Sequence, residues 1–393
     1  PVLLACCVAM LVGKLCGYSY ADMLAGGLNA VSQSLEAIII ILCVGCLIGS
    51  FEWTGTIPAV VYYGLQLISP KLFLPLACIL CAAVGIAIGS AWTVTATLGI
   101  AFMAIGTTMG LTPALVAGMI LSGACCGDKF SPLSDSTNLA AGSAQTGLFD
   151  HVRAMITTTF PSLVIAIIIY SIISLQGSAQ YDPELANGLS QAIIDHYDYM
   201  SPVLLLPLVA IVVVALIKMP ALAGVILVSI IGCIFAVIFQ GANFSDCITM
   251  MHYGYSAETG NELCDTLLNK GGMDSMLWTN NLVIVAVAFG GILQTIGAVE
   301  SLLGGLIKKV RTPFQLIVVT ILTMCDQYLG LIIPASMYKD KFDEMGLARN
   351  MLSRTLEDGG TLWSPLVPWS SCGAYHSNIL GVPTLSYLPF TFM

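Results

Sequence analysis

The stretch SGACCGDKFSPLSDSTNLAAG, residues 122–142, places charged and hydroxylated side chains between two apolar limbs. Pro132 and the glycines of this stretch are residues that end or unwind a helix. Unwinding exposes backbone carbonyl oxygens, and such backbone is tolerated at membrane depth only where it is buried in protein or lines a cavity. The stretch therefore predicts a transmembrane helix that is broken at a site for a polar ligand.

The composition of the whole chain is that of a membrane protein. Of its 393 residues, 57% are hydrophobic and only 9% are charged, with a mean hydropathy of +0.92, whereas about a quarter of the residues of a soluble protein are charged. The 22 acidic against 13 basic residues exclude a nucleic-acid-binding protein, which needs clustered Lys and Arg. Most cysteines lie in apolar runs and are expected to pack as small hydrophobes. Cys247 and Cys264 lie in a polar loop and could form a disulfide on an oxidising side of the membrane.

Six apolar runs approach the length of about 20 residues that a spanning helix needs. They cover approximately residues 1–16, 35–51, 155–176, 201–217, 221–240 and 277–299. Two further regions, about 72–147 and 313–385, are too long for one helix and are interrupted by glycine and proline. A simple bundle of about twelve unbroken helices is the alternative, and it is disfavoured because these interruptions would each break a helix.

The two interrupted regions contain the same features in the same order, which predicts an internal duplication. Each has a polar, glycine-bearing tip, then a Met-Gly-Leu and then a Ser-Pro-Leu. These features lie at 89–99, 109–111 and 131–133 in the first region and at 325–334, 345–347 and 364–366 in the second.

The distribution of charge predicts that the two copies have opposite orientations. The segments 177–200 and 241–276 are acidic, whereas Lys218 and the cluster Lys308, Lys309 and Arg311 lie at the turns between spans. The positive-inside rule places the basic turns in the cytoplasm. Counting spans from there predicts an inverted-topology repeat.

The predicted halves are 1–176 and 201–393, joined by an acidic external linker at 177–200. We expect the first half to be truncated at its start and the second at its end, by about one span each.

Ionisable and hydroxylated side chains at membrane depth are costly and are therefore candidates for function. Carboxylates, hydroxyls and freed carbonyls form a site of hard oxygen ligands, which suits Na⁺. A carboxylate that binds either Na⁺ or a proton would couple the two fluxes. The candidate carboxylates are Asp128, Asp135, Asp326, Glu357 and Asp358. The candidate hydroxyl and amide ligands are Ser90, Thr93, Ser131, Ser136, Thr137, Asn138, Ser364, Ser370 and Ser371.

Several of these residues have alternative interpretations. Asp128 could form an ion pair with Lys129 or Arg354 that only stabilises the fold. Asp135 could be a helix cap acting on Asn138. Lys129 and Arg354 could instead bind the carboxylate of an organic acid, which needs cationic or amide partners.

The segments GDKFSPLSDSTNLA and TGLFDHVR, together with DQYLGLIIPASMYKD and LSRTLEDGGTLWSPLVPWSSCGAY in the second copy, resemble the NhaC family of sodium/proton antiporters within the ion transporter superfamily. The resemblance extends from about residue 40 to the end of the chain. It implies an all-α polytopic membrane protein with inverted repeats, re-entrant hairpins and broken transmembrane helices.

The resemblance also implies exchange of Na⁺, and of Li⁺, for H⁺ across the cytoplasmic membrane of a bacterium, with no cofactor. The alternative is an organic acid exchanger such as a malate/lactate antiporter, because some members of the family resemble such exchangers. A homodimer is compatible with either function. An enzyme is disfavoured, since the sequence has no HExxH, Walker A or GxSxG motif, and a passive channel would require symmetry-related copies around a continuous pore.

Overall fold

The computed structural model describes residues 2–176, 183–298, 310–323 and 327–393, together with residue 301. Within these ranges the regular structure is entirely helical. We number the helices in chain order. They are α1 Val2–Leu15, α2 Tyr20–Gln33, α3 Leu35–Thr54, α4 Thr56–Leu67, α5 Phe73–Ile88, α6 Ala91–Thr108, α7 Pro113–Phe130, α8 Asp135–Ser143, α9 Leu148–Gln176, α10 Pro183–His196, α11 Pro202–Leu216, α12 Ala221–Phe239, α13 Phe244–Tyr253, α14 Glu262–Leu268, α15 Met273–Thr295, α16 Pro313–Thr323, α17 Leu329–Glu344, α18 Arg349–Gly360, α19 Ser371–Leu380 and α20 Thr384–Tyr387.

The described part of each apolar run that was predicted as a span is mostly helical in the structure. Within the described ranges, five helices are long and apolar enough to cross a membrane, namely α3, α6, α9, α12 and α15. The shorter apolar helices α1, α5 and α11 add to them. The prediction of an all-α multi-pass membrane protein is therefore confirmed at this level.

The Ser-Pro-Leu sequences interrupt helices in both predicted copies. In the first, α7 ends at Phe130 and α8 begins at Asp135. In the second, α18 ends at Gly360, a short 3₁₀ turn covers Ser364–Leu366, and α19 begins at Ser371. In each case a serine caps the outgoing helix. Ser134 accepts a hydrogen bond from the Thr137 N–H, and Ser370 accepts one from the Gly373 N–H.

The two Met-Gly-Leu sequences form the same turn. Gly110 and Gly346 both adopt a positive φ, at 78° and 68°, which a residue without a Cβ accepts at little cost. In the first copy the Leu111 N–H donates to the Gly106 carbonyl and the Gly110 N–H to the Thr107 carbonyl. The second copy repeats this pattern, with Leu347 donating to Phe342 and Gly346 donating to Asp343. Both are Schellman motifs that end a helix, so local structure supports the correspondence between the copies.

The chain forms two compact units. The first unit comprises residues 1–38, 134–158 and 278–375, and the second comprises residues 39–133, 159–277 and 376–393. Each unit contains segments of both predicted halves, so the compact units do not coincide with the halves along the sequence. A cluster of buried residues from α8, α16, α17 and α18, including Tyr338 and Phe342, forms a core of the first unit.

In the second unit α5 and α7 approach each other through small residues. A Cβ placed on Gly123 would lie 2.4 Å from the carbonyl oxygen of Cys78, and one on Gly127 would lie 2.3 Å from that of Ala82. These pairs are one helical turn apart on each helix, the spacing that lets membrane helices pack with close backbones.

The cysteines of the second unit are free thiols. Cys247 packs against Cys233, with its Sγ 3.9 Å from the Cys233 carbonyl oxygen. Cys264 is buried and is also free. The disulfide between Cys247 and Cys264 that the sequence left open is therefore absent from the structure.

The contact between α5 and α7 yields a test of the fold. Gly123→Leu should destabilise the protein by about 1–3 kcal/mol, because the new side chain overlaps backbone that cannot give way. The expected result is an apparent melting temperature lowered by several degrees in detergent.

Gly142→Leu is the matched control, since a Cβ on Gly142 in α8 meets no atom within 4 Å. Equal melting temperatures for the two variants would contradict the close packing of α5 on α7.

Candidate functional site

Glu357 is a carboxylate held fully inside the first unit. Glu357 is 0% exposed. It lies near the end of α18, where Gly359 and Gly360 allow the helix to approach its neighbours. A Cβ on Gly359 would lie 2.8 Å from the Cα of Ile321, and one on Gly360 would lie 3.1 Å from the side chain of Leu331. The glycines thus bring the last turn of α18, and Glu357 with it, against α16 and α17.

Two hydroxyls donate to the same oxygen of Glu357. The Ser136 Oγ lies 2.8 Å from Oε1, and the Thr361 Oγ1 lies 3.0 Å from it. Ser136 is in the first turn of α8 and is also 3.0 Å from the Oγ of Ser134, the residue that caps this helix. The break after α7 therefore places a serine of the first interrupted region on a carboxylate of the second, 221 residues away.

A histidine faces the second oxygen of Glu357. The His151 Nε2 is 3.8 Å from Oε2, and both side chains are fully buried. This separation suits an ion pair but exceeds a direct hydrogen bond. The His151 Nδ1 lies 2.8 Å from the Ser353 Oγ, which fixes the orientation of the ring. A hydroxyl, an imidazole and a carboxylate thus lie next to one another in buried surroundings, with a gap between the imidazole and the carboxylate.

The other predicted carboxylates of this unit lie elsewhere. Asp135 is exposed. One of its oxygens accepts from the Ser136 N–H at 2.9 Å, and the other accepts from the Tyr328 hydroxyl at 2.8 Å. Asp358 is next to Glu357 in sequence but points elsewhere, because adjacent residues of a helix do not face the same side. Its Oδ2 lies 4.0 Å from the Nε of Arg354.

The remaining predicted ligands in the first unit have mixed roles. Thr137, Ser364, Ser370 and Ser371 are buried, whereas Asn138 is exposed. The Ser370 hydroxyl donates to the carbonyl oxygens of Ser364 and Val367. The Asn138 amide donates to the Ser134 carbonyl at 2.7 Å. Ser134, rather than Asp135, is the cap of α8. Ser370 and Asn138 therefore secure the ends of the broken helices.

The predicted residues before position 134 belong to the second unit. Asp128, Lys129 and Ser131 are all buried at the end of α7. Ser90 caps α6, and its Oγ lies 3.1 Å from the Oγ1 of Thr93. Asp326 lies outside the described residues.

Sequence reasoning missed His151, Ser353 and Tyr328 as members of the site. The sequence analysis assigns no role to His151, although this residue lies in the segment TGLFDHVR, which carries the family resemblance. A histidine in the first turn of a long apolar helix was the signal that could have indicated it.

The cluster around Glu357 has the chemistry to hold a small cation or a proton. A carboxylate oxygen and two hydroxyl oxygens are hard ligands of the kind that bind Na⁺. No group of three or more His, Cys, Asp and Glu side chains with metal-site geometry occurs among the described residues, so the oxygen donors would have to include hydroxyls or backbone. Burial removes water, and an unneutralised charge is costly there.

The comparisons with known proteins agree with this chemistry. Residues 123–393 match the model of the Na+/H+ antiporter family. The chain is 34% identical over 400 residues to the Na(+)/H(+) antiporter NhaC of Alkalihalophilus pseudofirmus, covering 100% of this chain and 86% of that protein.

Two further relatives carry other names. The chain is 36% identical to the malate-2H(+)/Na(+)-lactate antiporter of Bacillus subtilis, over 98% of this chain and 84% of that protein. It is also 36% identical to the arginine/ornithine antiporter ArcD of Halobacterium salinarum, over 96% of this chain and 80% of that protein. The match to the family model and the length of these alignments lead to one conclusion: the chain belongs to the Na+/H+ antiporter family.

Proposed function

We propose that this chain is a secondary antiporter that exchanges Na⁺, and also Li⁺, for H⁺ across the cell membrane by alternating access, with Glu357 as the group that holds either ion. The observation that carries the proposal is a fully buried carboxylate that accepts two hydroxyl hydrogen bonds and faces a buried histidine. Membership of the Na+/H+ antiporter family supports the identity of the two ions.

Burial of Glu357 couples the two fluxes. An ionised carboxylate away from water must be compensated, and either a proton or a cation can do so. When Na⁺ binds, the Ser136 and Thr361 hydroxyls rotate so that their oxygens, rather than their hydrogens, face the ion, because a hydroxyl both donates and accepts. Na⁺ and H⁺ therefore compete for one site, and either ion, once bound, neutralises the charge of the Glu357 carboxylate.

His151 is the residue positioned to exchange the proton. Its Nε2 faces Oε2 of Glu357 at 3.8 Å, and a small movement of the side chain would close this gap. Ser353 holds the opposite ring nitrogen at 2.8 Å, so the imidazole stays oriented while it gains or loses a proton. Asp128, Asp326 and Asp358 stay proposed as further carboxylates of the ion pathway.

We further propose that the two halves are inverted repeats. The shared Schellman turns at Gly110 and Gly346 and the serine caps at Ser134 and Ser370 support a common ancestor of the halves. Paired broken helices of opposite orientation are the usual basis of alternating access in secondary transporters.

Exchange of an organic solute is the second candidate function. Relatives named for malate and lactate, or for arginine and ornithine, are as similar to the chain as the one named for Na⁺ and H⁺. Arg354 is the basic side chain closest in sequence to Glu357, and it already contacts the Thr157 hydroxyl at 3.3 Å and faces Asp358. These contacts favour a structural role for Arg354 over the binding of an organic anion. They therefore favour Na⁺ over an organic acid as the transported solute.

Reconstituted liposomes separate the two functions. Vesicles with an acidic lumen and an internal pH dye receive Na⁺, Li⁺, K⁺, malate, lactate or arginine one at a time. Na⁺ or Li⁺ alone should raise the lumenal pH, because each displaces a proton from the site. Proton movement that requires malate, lactate or arginine would instead establish the second candidate function.

Glu357→Gln should slow Na⁺-driven alkalinisation at least about 100-fold, because a neutral amide has no negative charge to bind either a proton or Na⁺. The amide has nearly the same size as the carboxylate, and its oxygen can accept the hydrogen bonds from Ser136 and Thr361. The variant should therefore elute as a folded protein in detergent.

Glu344→Gln is the matched control for this variant. Glu344 lies in the first unit but is exposed, in an ion pair with Lys341 at 2.7 Å, and exposed pairs contribute little. Exchange at the wild-type rate in Glu357→Gln would remove Glu357 from the ion site.

The inverted repeat is tested by topology reporters. A reporter placed after Gln176 should lie outside the cell, and one placed after Arg311 should lie inside, as the positive-inside rule predicts. The readout is the activity of a fused periplasmic or cytoplasmic reporter enzyme. Location of both reporters on one side of the membrane would refute the inverted arrangement.

A further inference from the structure

Tyr328 connects the two interrupted regions at the edge of the Glu357 cluster. It lies directly before α17, and its hydroxyl donates to the Oδ2 of Asp135, in the first turn of α8, at 2.8 Å. The two residues are 193 positions apart in the sequence. Tyr328 is half-buried and Asp135 is exposed, whereas Glu357 and Ser136 are buried. The contact therefore lies at the accessible edge of the cluster.

Asp135 joins Tyr328 to Ser136. Its other oxygen, Oδ1, accepts a hydrogen bond from the Ser136 N–H at 2.9 Å. The Ser136 Oγ in turn lies 2.8 Å from Oε1 of Glu357. Three hydrogen bonds thus lead from Tyr328 to Glu357 through two consecutive residues of α8. Loss of the first of these bonds would free the Asp135 side chain and loosen the turn that carries Ser136.

The residue before Tyr328 contacts both segments of the second broken helix. The Gln327 Oε1 accepts a hydrogen bond from the Cys372 thiol, in the first turn of α19, at 2.8 Å. The Gln327 carbonyl oxygen faces the end of α18, since a Cβ on Gly360 would lie 3.3 Å from it. Helix α17 itself is buried in the core of the first unit through residues such as Phe342. Tyr328 therefore projects from a well-packed frame, from which its hydroxyl can hold another helix.

Helix α8 is held in different ways at its two ends. Near its end, Ala140 and Ala144 pack in the same apolar core as α17. Its first turn is polar, and hydrogen bonds fix it instead. Besides the contacts of Asp135, the Ser134 Oγ lies 3.0 Å from the Ser136 Oγ. Polar contacts therefore decide where the hydroxyl of Ser136 lies relative to Glu357.

We propose that Tyr328 is a positioning residue of the cation site, because its hydrogen bond to Asp135 holds Ser136 where the serine hydroxyl can act as a ligand of Na⁺. This inference rests on the proposed role of Glu357 as the ion-binding group. It assigns Asp135 to the support of Ser136 rather than to direct contact with the ion. Both oxygens of Asp135 are engaged, and the charge of an exposed carboxylate is largely screened by water and salt.

Na⁺ depends on this support more than a proton does. A bound cation needs several oxygen atoms in place at once, and such ligands must be held to within about 0.5 Å by their neighbours. A proton needs only one oxygen of the carboxylate. Release of Ser136 should therefore weaken the binding of Na⁺ while the chemistry of proton transfer at Glu357 continues.

Tyr328→Phe should raise the KM for Na⁺ about three- to tenfold and change kcat less than about twofold, because one hydrogen bond is lost while the aromatic ring is kept. The measurement is the initial rate of lumenal alkalinisation by the full chain in liposomes, over a series of Na⁺ concentrations. Tyr253→Phe is the matched control. Tyr253 is 68% exposed on α13 in the second unit, so its variant should keep the wild-type KM.

Two variants of Asp135 separate position from charge. Asp135→Asn removes the charge but keeps an oxygen for the Ser136 N–H, and its amide can donate to the Tyr328 hydroxyl, so the KM should stay within about twofold of wild type. Asp135→Ala removes both contacts and should raise the KM as Tyr328→Phe does. It also tests the inference if Tyr328→Phe does not fold. A KM raised by Asp135→Asn but unchanged in Tyr328→Phe would mean that Asp135 attracts the cation by its charge, and would overturn the positioning role.

Hydrogen exchange tests the same contact without transport. In detergent and without Na⁺, Tyr328→Phe should speed the exchange of backbone amides in residues 134–138, whereas Tyr253→Phe should not. Unchanged exchange there, or a loss of kcat with an unchanged KM, would also overturn the inference. A wild-type protein that gives no Na⁺-driven alkalinisation would instead refute the proposed function, and hydrogen exchange would still report whether Tyr328 holds the first turn of α8.

Discussion

The buried carboxylate of Glu357 is the constraint on which the architecture of the first unit depends. A charge away from water is costly unless polar groups surround it, and the structure supplies Ser136, Thr361 and His151. Ser136 belongs to the first turn of α8, directly after the break that follows α7. The interruption between α7 and α8 turns the polar end of α8 towards α18, so the break in the helix and the burial of the acid are one structural feature.

Close backbone packing makes these broken segments possible. Helix α18 ends in two glycines whose hydrogen atoms face α16 and α17, and larger side chains there would force Glu357 away from its hydroxyl partners. Ser134 and Ser370 precede the outgoing helices and cap them, because their hydroxyls accept hydrogen bonds from N–H groups of the first turn that have no carbonyl partner within the helix. Hydrogen bonds within the breaks replace those of a continuous helix, as membrane depth requires.

The two compact units present different chemistries to a ligand. The first unit offers an acid and hydroxyls, which favour a cation or a proton. The second contains a mostly aliphatic cavity lined also by Lys270. Relatives of similar identity are named for cations, for organic acids and for amino acids.

The amino-acid sequence by itself determined the membrane class, the positions of the apolar helices, the breaks at Ser-Pro-Leu and the candidate acids Glu357 and Asp358. These follow from local properties, since hydropathy, glycine and proline act within a few residues of their position. Only the tertiary structure decided that Glu357 rather than Asp358 faces Ser136, and that His151 and Ser353 complete the cluster. Those contacts join residues 221 and 202 positions apart. Such pairings depend on which helix faces pack together, and no local pattern along the chain encodes that choice.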